Sequence, residues 1–365
     1  MRILHVTTLR ALAPGHRKQL RHEVLAAKDA CLQWDTISLQ TDAVQSDFER
    51  QVPRVWRSAL MLRLYRWMYV VRKARDYDIV LLRTLSLDLF GPLFGLFAPN
   101  LVTVHHAKEI EELAILDSST FSKRVSTFVE RWFTPLTMKS ARGIAAVTSD
   151  IKEYEIARFP HLRNRAIVFP NGYHFAEAMP AEDKRLRTMV TFTFVCSTFA
   201  EWHGLDRLLE AIETDTGEGQ KLVRIHLVGA LTDEQRAAVH ALSHKGTEIY
   251  VHGVLDSDGI ISLLDTTDVA IGSLALDRKN LFGASTLKVR EYLASGIPVY
   301  ATHHDTALPQ SFPFYYSDSA VSLSRMVNFA ELMTNYSREE IREASRSYLD
   351  KKFILEKAVQ ELAEM

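Results

Sequence analysis

Met1-Arg2-Ile3-Leu4-His5-Val6-Thr7 opens the chain, and it is followed by the turn Ala13-Pro14-Gly15-His16 and a helical pattern from Lys18 to Ala30 with apolar positions at Leu20, Val24 and Ala27, then Cys31. Ile3 to Thr7 is short, nearly all apolar and partly β-branched, which suits the buried first strand of a parallel sheet. The same strand, loop and helix sequence recurs from Asp78-Ile79-Val80-Leu81-Leu82, Leu101-Val102-Thr103-Val104-His105 and Gly143-Ile144-Ala145-Ala146-Val147, and Ile167-Val168-Phe169 closes the set. Alternating strands and helices of this kind predict a doubly wound α/β sheet.

Between Ala176 and Thr188 the chain turns polar (Pro180-Ala181-Glu182-Asp183-Lys184-Arg185), which marks a boundary. Strands then resume at Thr191 to Cys196, Arg224 to Val228, Ile249 to Val254, Asp268 to Ser273, Pro298 to Thr302 and Tyr315-Tyr316. Two Rossmann-like doubly wound domains are therefore expected, over 1–175 and 176–340, with a charged helix over 341–365 that packs back on the first. A length of 365 residues, 47% hydrophobic, suffices for two ordinary cores. The net charge of -1 supplies no global field for nucleic acid, so none is expected as a partner. Two distant cysteines, Cys31 and Cys196, fit a reducing compartment rather than a disulfide framework. No run of eighteen apolar residues occurs, and the first ten residues are too interrupted for a signal segment, so a cytoplasmic protein is expected.

From Arg50 to Arg75 the sequence carries eight basic residues and no acid, with Trp56, Leu60, Leu64, Trp67 and Val71 at helical spacing. Two readings stay open. Either this is a lobe helix whose Arg stems snorkel, or residues 50–75 rest on the anionic inner face of a membrane.

Ser285 to Ser295 predicts a helix with Ser285 as N-cap, Leu287, Val289, Leu293 and Ala294 as apolar positions, and Gly296 with Pro298 as stop signal. Such a helix starts at the carboxyl edge of the sheet, where its free N–H groups attract a diphosphate. Lys288 adds a cation in the first turn. Lys288 and Glu291 together read either as an ordinary i,i+3 ion pair or as a diphosphate cation beside a carboxylate for ribose hydroxyls.

The block from Leu281 to Val299 resembles the nucleotide-binding signature of retaining GT-B glycosyltransferases, with Glu291 at the place of that family's second Glu and Gly283 at the place of its first. Arg278, Lys279, Lys288, Arg290 and Glu291 are similar to a bacterial surface-polysaccharide branch with a Leu-Lys-x-Arg-Glu-Tyr block. Phe194 to Leu208, with Trp202-His203-Gly204-Leu205-Asp206-Arg207, resembles that branch's first loop of the second domain. The family's usual Arg and Lys would fall at Thr198 and His203, which leaves Lys279 or Lys288 to neutralise the diphosphate. In the first half, Val104-His105-His106-Ala107-Lys108-Glu109 resembles the family's His-bearing loop, and Pro170-Asn171-Gly172 its interdomain turn, though a plain turn explains the latter as well.

The resemblance implies a hexosyl transfer with retention, from a nucleoside-diphosphate sugar to a hydroxyl of a carbohydrate or lipid-linked acceptor, in bacterial cell-surface polysaccharide or glycoconjugate synthesis. It implies catalytic roles for His105, His106 and Lys288, donor contacts from Gly15, Asn171, Thr198, Trp202, His203, Lys279, Ser285, Leu287 and Glu291, and Glu109 on the acceptor or sugar side. Asp256-Ser257-Asp258 spells a metal-diphosphate pattern, yet its place before Ile260-Ile261-Ser262 predicts a helix N-cap. The fourteen His show no zinc spacing, and no dinucleotide or P-loop glycine motif occurs, so no cofactor and no metal are expected. A non-catalytic partner subunit and a sugar-nucleotide epimerase of the same fold are the competing readings.

Overall fold

The computed structural model describes all residues except 11, 13, 86, 111–119, 178–180, 186–187, 216–221 and 243–246, and the side chains of 120–126 and 177. Two compact units result: Met1–His174 with Asp350–Met365, and Phe175–Leu349. The first contains β1 (Ile3–Leu9), α1 (Pro14–Asp29), β2 (Trp34–Gln40), β3 (Glu49–Gln51), α2 (Ala59–Ala74), β4 (Ile79–Arg83), α3 (Gly91–Phe94), β5 (Leu101–His105), α4 (Thr120–Ser140), β6 (Gly143–Ala146), α5 (Ser149–Arg158) and β7 (Ala166–Val168). The second contains β8 (Met189–Thr198), α6 (Leu205–Glu213), β9 (Leu222–Ala230), α7 (Asp233–Ala241), β10 (Thr247–Gly253), α8 (Ser257–Thr266), β11 (Val269–Ile271), β12 (Gly283–Ala284), α9 (Leu287–Ala294), β13 (Val299–Ala301), β14 (His304–Asp305), β15 (Tyr315–Ser317), α10 (Leu323–Met333) and α11 (Arg338–Leu349). Helix α12 (Lys351–Ala363) returns to the first unit.

The first sheet has seven strands in the order β3-β2-β1-β4-β5-β6-β7, and the second has six in the order β10-β9-β8-β11-β13-β15. Every pairing in both is parallel. In each, the order reverses beside the first strand, between β1 and β4 and between β8 and β11. That places the crevice where open α/β sheets take ligands. Along β1 and β4 the side chains alternate between two cores: Ile3, Ile79 and Leu81 meet Leu355 and Leu362 of α12, while Leu4, Val6, Val80 and Leu82 meet Leu62, Trp67 and Val70 of α2.

Three expectations change. Helix α1 begins at Pro14, so Gly15 is in its first turn rather than in a loop, with Pro at the position where its missing N–H costs nothing. The stretch 50–75 is not one helix but β3, a 3-10 turn at Arg54–Trp56 and then α2. The buried side of α2 is Leu62, Arg66, Trp67, Val70 and Ala74, not the stripe through Leu60, which is exposed. Arg66 pairs with Asp88 inside the unit, and Trp67 Nε1 donates to the same carboxylate at 2.7 Å. The apolar side of this helix is thus used by the core, which removes the basis for resting 50–75 on a membrane. No helix among the described residues is long and apolar enough to cross one.

Strand β2 sets buried polar residues among the apolar Trp34, Ile37 and Leu39, and those polar groups are satisfied by buried carboxylates. Glu23, 1% exposed, accepts from His5 Nδ1 (2.7 Å), Thr36 Oγ1 (2.8 Å) and Trp34 Nε1 (3.0 Å). Glu49 accepts from Gln40 Nε2 at 2.7 Å and Arg17 Nε at 2.7 Å. Lys351, at the start of α12, brings its ammonium within 3.3 Å of Glu23. Burial pushes the Glu23 carboxyl up, but His5, Lys351 and Thr36 outweigh it and hold the carboxyl far below its usual range. A depressed carboxyl contributes stability above its unfolded pKa, and the contribution is lost as pH falls.

Glu23→Ala is expected to cost about 3–5 kcal/mol, because it leaves the Lys351 ammonium buried without its carboxylate. Urea unfolding of the Glu23→Ala chain and of a Glu23→Ala, Lys351→Met double variant measures this. The double variant should recover part of the loss, and equal losses would argue against the pairing.

Candidate functional site

In the second unit the carboxyl ends of β8, β11 and β13 converge on the start of α9. The structure moves the helix start: α9 begins at Leu287, its N-cap is Thr286 rather than Ser285, and no side chain caps it. Ser285 lies buried just before. The opposite end is closed, since Arg342 of α11 donates to Ala294 O at 2.5 Å. One end of α9 therefore keeps its carbonyls satisfied while the other leaves first-turn N–H groups with no side-chain acceptor. Around that open end lie two orphaned buried polar atoms, Thr286 Oγ1 and His303 Nε2. His303 Nδ1 donates to Ser273 O at 3.1 Å, so its Nε2 presents a lone pair. Burial first, then Lys288 and Arg290, push this imidazole down to about 4, so the ring is neutral near pH 7.

Lys288 occupies the first turn, half-buried, with Nζ 3.7 Å from Cys196 Sγ and 4.8 Å from the centroid of Phe194. Neither neighbour is a carboxylate, and burial pulls the ammonium pKa down. A cation desolvated beside a thiol and a ring has most to gain from an incoming anion. Glu291 follows three residues later and is half-exposed; Leu287 is likewise half-exposed. Arg290 is different. It is fully buried and forms a two-pronged pair with Asp305 of β14, Nη2 to Oδ1 at 2.7 Å. Its place in the sequence motif reflects structure, not donor contact.

Trp202-His203 forms a short 3-10 turn after β8, and Gly204 leaves it at φ 75°, where a Cβ would stand 2.9 Å from the Leu274 backbone. Only glycine takes that backbone at little cost. His203 Nδ1 accepts from Ala200 N at 3.1 Å, which puts the ring proton on Nε2. Burial and then Lys288 lower His203 to about 4. Because this pKa lies below that of an unfolded His, falling pH from about 6.5 to 4 costs stability. Lys279 Nζ sits 3.9 Å over the Trp202 ring. The two motif segments are clamped by exchanged charges: Arg278 grips Asp206 (2.5 Å) and Glu201 O (2.6 Å), and Arg207 grips Asp277 (2.7 Å) and Leu274 O (2.9 Å). Thr198 is exposed at the end of β8, and its backbone carbonyl accepts from the His203 imidazole. An open groove of about 810 Å³ runs from Arg207 and Asp277 past Phe282 to Thr302, His303 and Asp318, sharing His303 with the α9 site but not Lys288.

In the first unit the sequence expectation for His105 is corrected. His105 is 1% exposed, and both ring nitrogens are engaged inside: Nδ1 with Glu109 (3.1 Å) and Glu155 (3.5 Å), Nε2 with Thr103 Oγ1 (3.0 Å). It is the last residue of β5, and pleating turns it toward the α4 and α5 side. Burial lowers its pKa, but Glu155 and Glu109 outweigh burial and raise it to about 9, so the ring is charged at neutral pH. Glu109 is correspondingly held low and Glu155 pushed up. The His105, Glu109 and Glu155 donor atoms lie within 4.8 Å of one another and could in principle ligate a divalent cation. The His proton and Arg158, 3.1 Å from both Glu155 and Glu130, already compensate these carboxylates. His106, one residue beyond the strand, instead lines a small pocket with Thr7, His16, Gln19 and Arg83 at the reversal between β1 and β4. Burial and then Arg83 hold it neutral. Gln19 Nε2 donates to Asn171 Oδ1 at 2.5 Å at this edge, and Gly15 is exposed in the first turn of α1.

Sequence reasoning missed His303, Cys196, Asp305 and Glu155. His303-His304 after the strand Val299-Tyr300-Ala301 carried the same signal as His105-His106 and was the one that could have been read. Asp256, by contrast, caps α8 as expected, accepting from Gly259 N at 2.9 Å.

No family model matches the sequence. An uncharacterised glycosyltransferase of Methanocaldococcus jannaschii is 23% identical over 209 residues, 54% of this chain and 52% of the relative, so the chain spans about half the length of that curated relative. Among solved structures, the apo lipopolysaccharide outer core galactosyltransferase WaaB is similar over all of both chains, with 11% identity and a TM-score of 0.64. An α-glucosyltransferase in complex with UDP and a 13-mer DNA gives 0.60 at 11% identity, covering 99% of each chain. A putative UDP-N-acetylglucosamine 2-epimerase from Listeria monocytogenes gives 0.54 at 13% identity, covering 100% of this chain and 96% of that one. At these identities the likeness establishes the fold, two parallel-sheet α/β units of the GT-B type. The DNA in one of these structures also withdraws the expectation, drawn from net charge, that nucleic acid is excluded.

Arg290→Met and Lys288→Met should separate structure from binding. The first strands Asp305 as a buried unpaired charge and is expected to lower stability by about 3–5 kcal/mol; the second should leave the unfolding midpoint nearly unchanged. Thermal unfolding of both checks this. Because the His105 proton stabilises the fold, its contribution is complete below the unfolded His pKa and should vanish as pH rises through about 9; His105→Asn should flatten that alkaline limb.

Proposed function

We propose that the chain is a nucleotide-sugar-dependent glycosyltransferase that moves a hexosyl group from a nucleoside-diphosphate sugar to an acceptor hydroxyl. The observation that carries this reading is the open start of α9, with uncapped N–H groups, the Lys288 ammonium held against Cys196 and Phe194, and the orphaned His303 Nε2 and Thr286 Oγ1. When the bond from sugar C1 to phosphate breaks, negative charge builds on the leaving diphosphate. Donors fixed in advance where that charge appears stabilise the transition state more than the ground state. Lys288 and the α9 amides do this, with Lys279 as a second cation from the Trp202 ring. Glu291 accepts from the ribose hydroxyls, His203 donates through Nε2, and His303 accepts from a donor hydroxyl or amide. In the first unit His106, rather than His105, faces the sugar beside Gln19, which bonds Asn171, and Gly15 stands in the first turn of α1; Glu109 acts only by holding His105. Retention at C1, a role in bacterial cell-surface polysaccharide or glycoconjugate synthesis, and independence from metal belong to this reading by resemblance.

A sugar-nucleotide epimerase is the second reading, favoured by the epimerase of the same fold. Product analysis without acceptor separates the two, since an epimerase converts the sugar nucleotide alone.

Lys288→Ala is expected to keep the fold and reduce kcat/KM by about 10²–10³-fold, on the order of 3–4 kcal/mol of lost charge stabilisation. A panel of nucleotide sugars assayed for transfer reads this, and wild-type-like turnover would sink the assignment. Uridine or guanosine diphosphate at a hundredfold excess over Kd should stabilise the wild-type chain by about 2.7 kcal/mol and Lys288→Ala far less. No response to either nucleotide would instead favour a non-catalytic partner subunit.

A further inference from the structure

The geometry points to α4 and its neighbour α3 as the surface by which this chain rests on an anionic lipid bilayer. Along α4, Phe128, Trp132 and Leu136 follow at i, i+4 and i+8 and are 57%, 61% and 48% exposed. Phe128 and Trp132 stand side by side, with ring centroids 6.2 Å apart, and Leu136 follows one turn further along the same side of the helix. Helix α3 and the turn Gly95–Phe97 lie directly against this helix, because a side chain at Gly91 would run into Thr137 and one at Gly95 into Ser140. That neighbour adds four more exposed apolar residues: Leu89 and Leu93, with Leu96 and Phe97 at 67% and 62%. At roughly 150–250 Å² for a whole aromatic side chain, the three rings alone leave on the order of 300–400 Å² in water. Soluble monomers rarely leave contiguous apolar patches larger than a few hundred Å² without a use.

Charge decides what covers it. The sequence of α4 holds Lys123, Arg124, Arg131 and Lys139 against one acid, Glu130. Glu130 is buried and paired with Arg158, so it offers nothing outward, whereas Arg131 and Lys139 are exposed. Asp88, beside α3, is likewise committed to Arg66 and Trp67. A second copy docking through the same patch about a two-fold axis would bring the cations of both copies together. Anionic headgroups instead attract each basic residue by about 1 kcal/mol, while Trp and Phe seat at the boundary between headgroups and acyl chains. The surface differs from residues 50–75 in the respect that matters: the apolar side of α2 is spent on the core, and that of α4 is not.

Sedimentation of the full chain with vesicles of phosphatidylcholine containing one-third phosphatidylglycerol tests this. The wild-type chain should pellet with these vesicles at low salt, and far less with phosphatidylcholine alone. A Phe128→Ser, Trp132→Ser, Leu136→Ser variant should partition at least about tenfold more weakly with its thermal midpoint unchanged. On vesicle addition, the tryptophan emission of wild type should shift to the blue and that of Trp132→Phe should not. Equal partitioning of wild type and triple variant, or a wild-type chain that stays in the supernatant at low salt, overturns the proposal. So does analytical ultracentrifugation that finds a dimer of the chain broken by the same triple variant, since the patch would then belong to a second copy.

Discussion

Strictly parallel pairing is the constraint on which the molecule depends. Once every strand in a sheet runs the same way, all carboxyl ends fall on one edge, and each crossover opens its helix at that same edge before carrying the chain back over a face to the opposite one. The chemistry-bearing residues collect accordingly. Cys196, Thr198 and His203, Ser273, Lys288, and His303 come from four stretches of sequence, yet each lies at or just after a strand's carboxyl end or in the first turn of a helix in the second unit. Gly15, Arg83 and His106 do the same in the first. The reversal of strand order beside β1 and beside β8 opens the crevice, and the residues that flank it need no further instruction to converge.

Buried charge is the second organising element, and it sorts ionic residues into two kinds. Arg66, Arg290, Arg338 and Arg342 are buried and anchored by Asp88, Asp305 or backbone carbonyls, so they hold elements together. Lys288 is half-buried, with Cys196 Sγ and the Phe194 ring beside its ammonium. The difference between an arginine gripped by a buried carboxylate and a lysine without one separates scaffold from site within one helix, although Lys288 and Arg290 stand two positions apart.

How much of this was legible follows the same division. The apolar strands β1, β4, β5, β6, β8 and β9 were readable because a parallel strand buried on both faces must be apolar. Strand β2 was not, because Thr36 and Gln40 are buried through Glu23 and Glu49, and a single sequence does not reveal that two distant carboxylates will supply acceptors. The α9 segment was readable as a helix near a ligand edge, but its N-cap was placed one residue early, since Ser285 is a better capping residue than Thr286 and neither side chain caps the helix. His105 and His106 were read as equivalent. A single step along the pleat sends one into the core, and strand phase at a strand's last residue is not written in local composition. The basic stretch 50–75 misled for a related reason: Arg66 looked like surface until Asp88 was seen beside it.

The return of α12 to the first unit bears on how the chain is made. Residues 350–365 supply Lys351 to Glu23, and Ile354, Leu355, Ala358 and Leu362 to the core under β1 and β4. They leave the ribosome after the entire second unit has emerged. The first unit, although synthesised first, must wait with an uncovered sheet face and with Glu23 lacking its lysine, while the second can close without it. Vectorial synthesis thus inverts the folding order, and the interval during which that apolar face is open grows with everything inserted between Phe175 and Leu349.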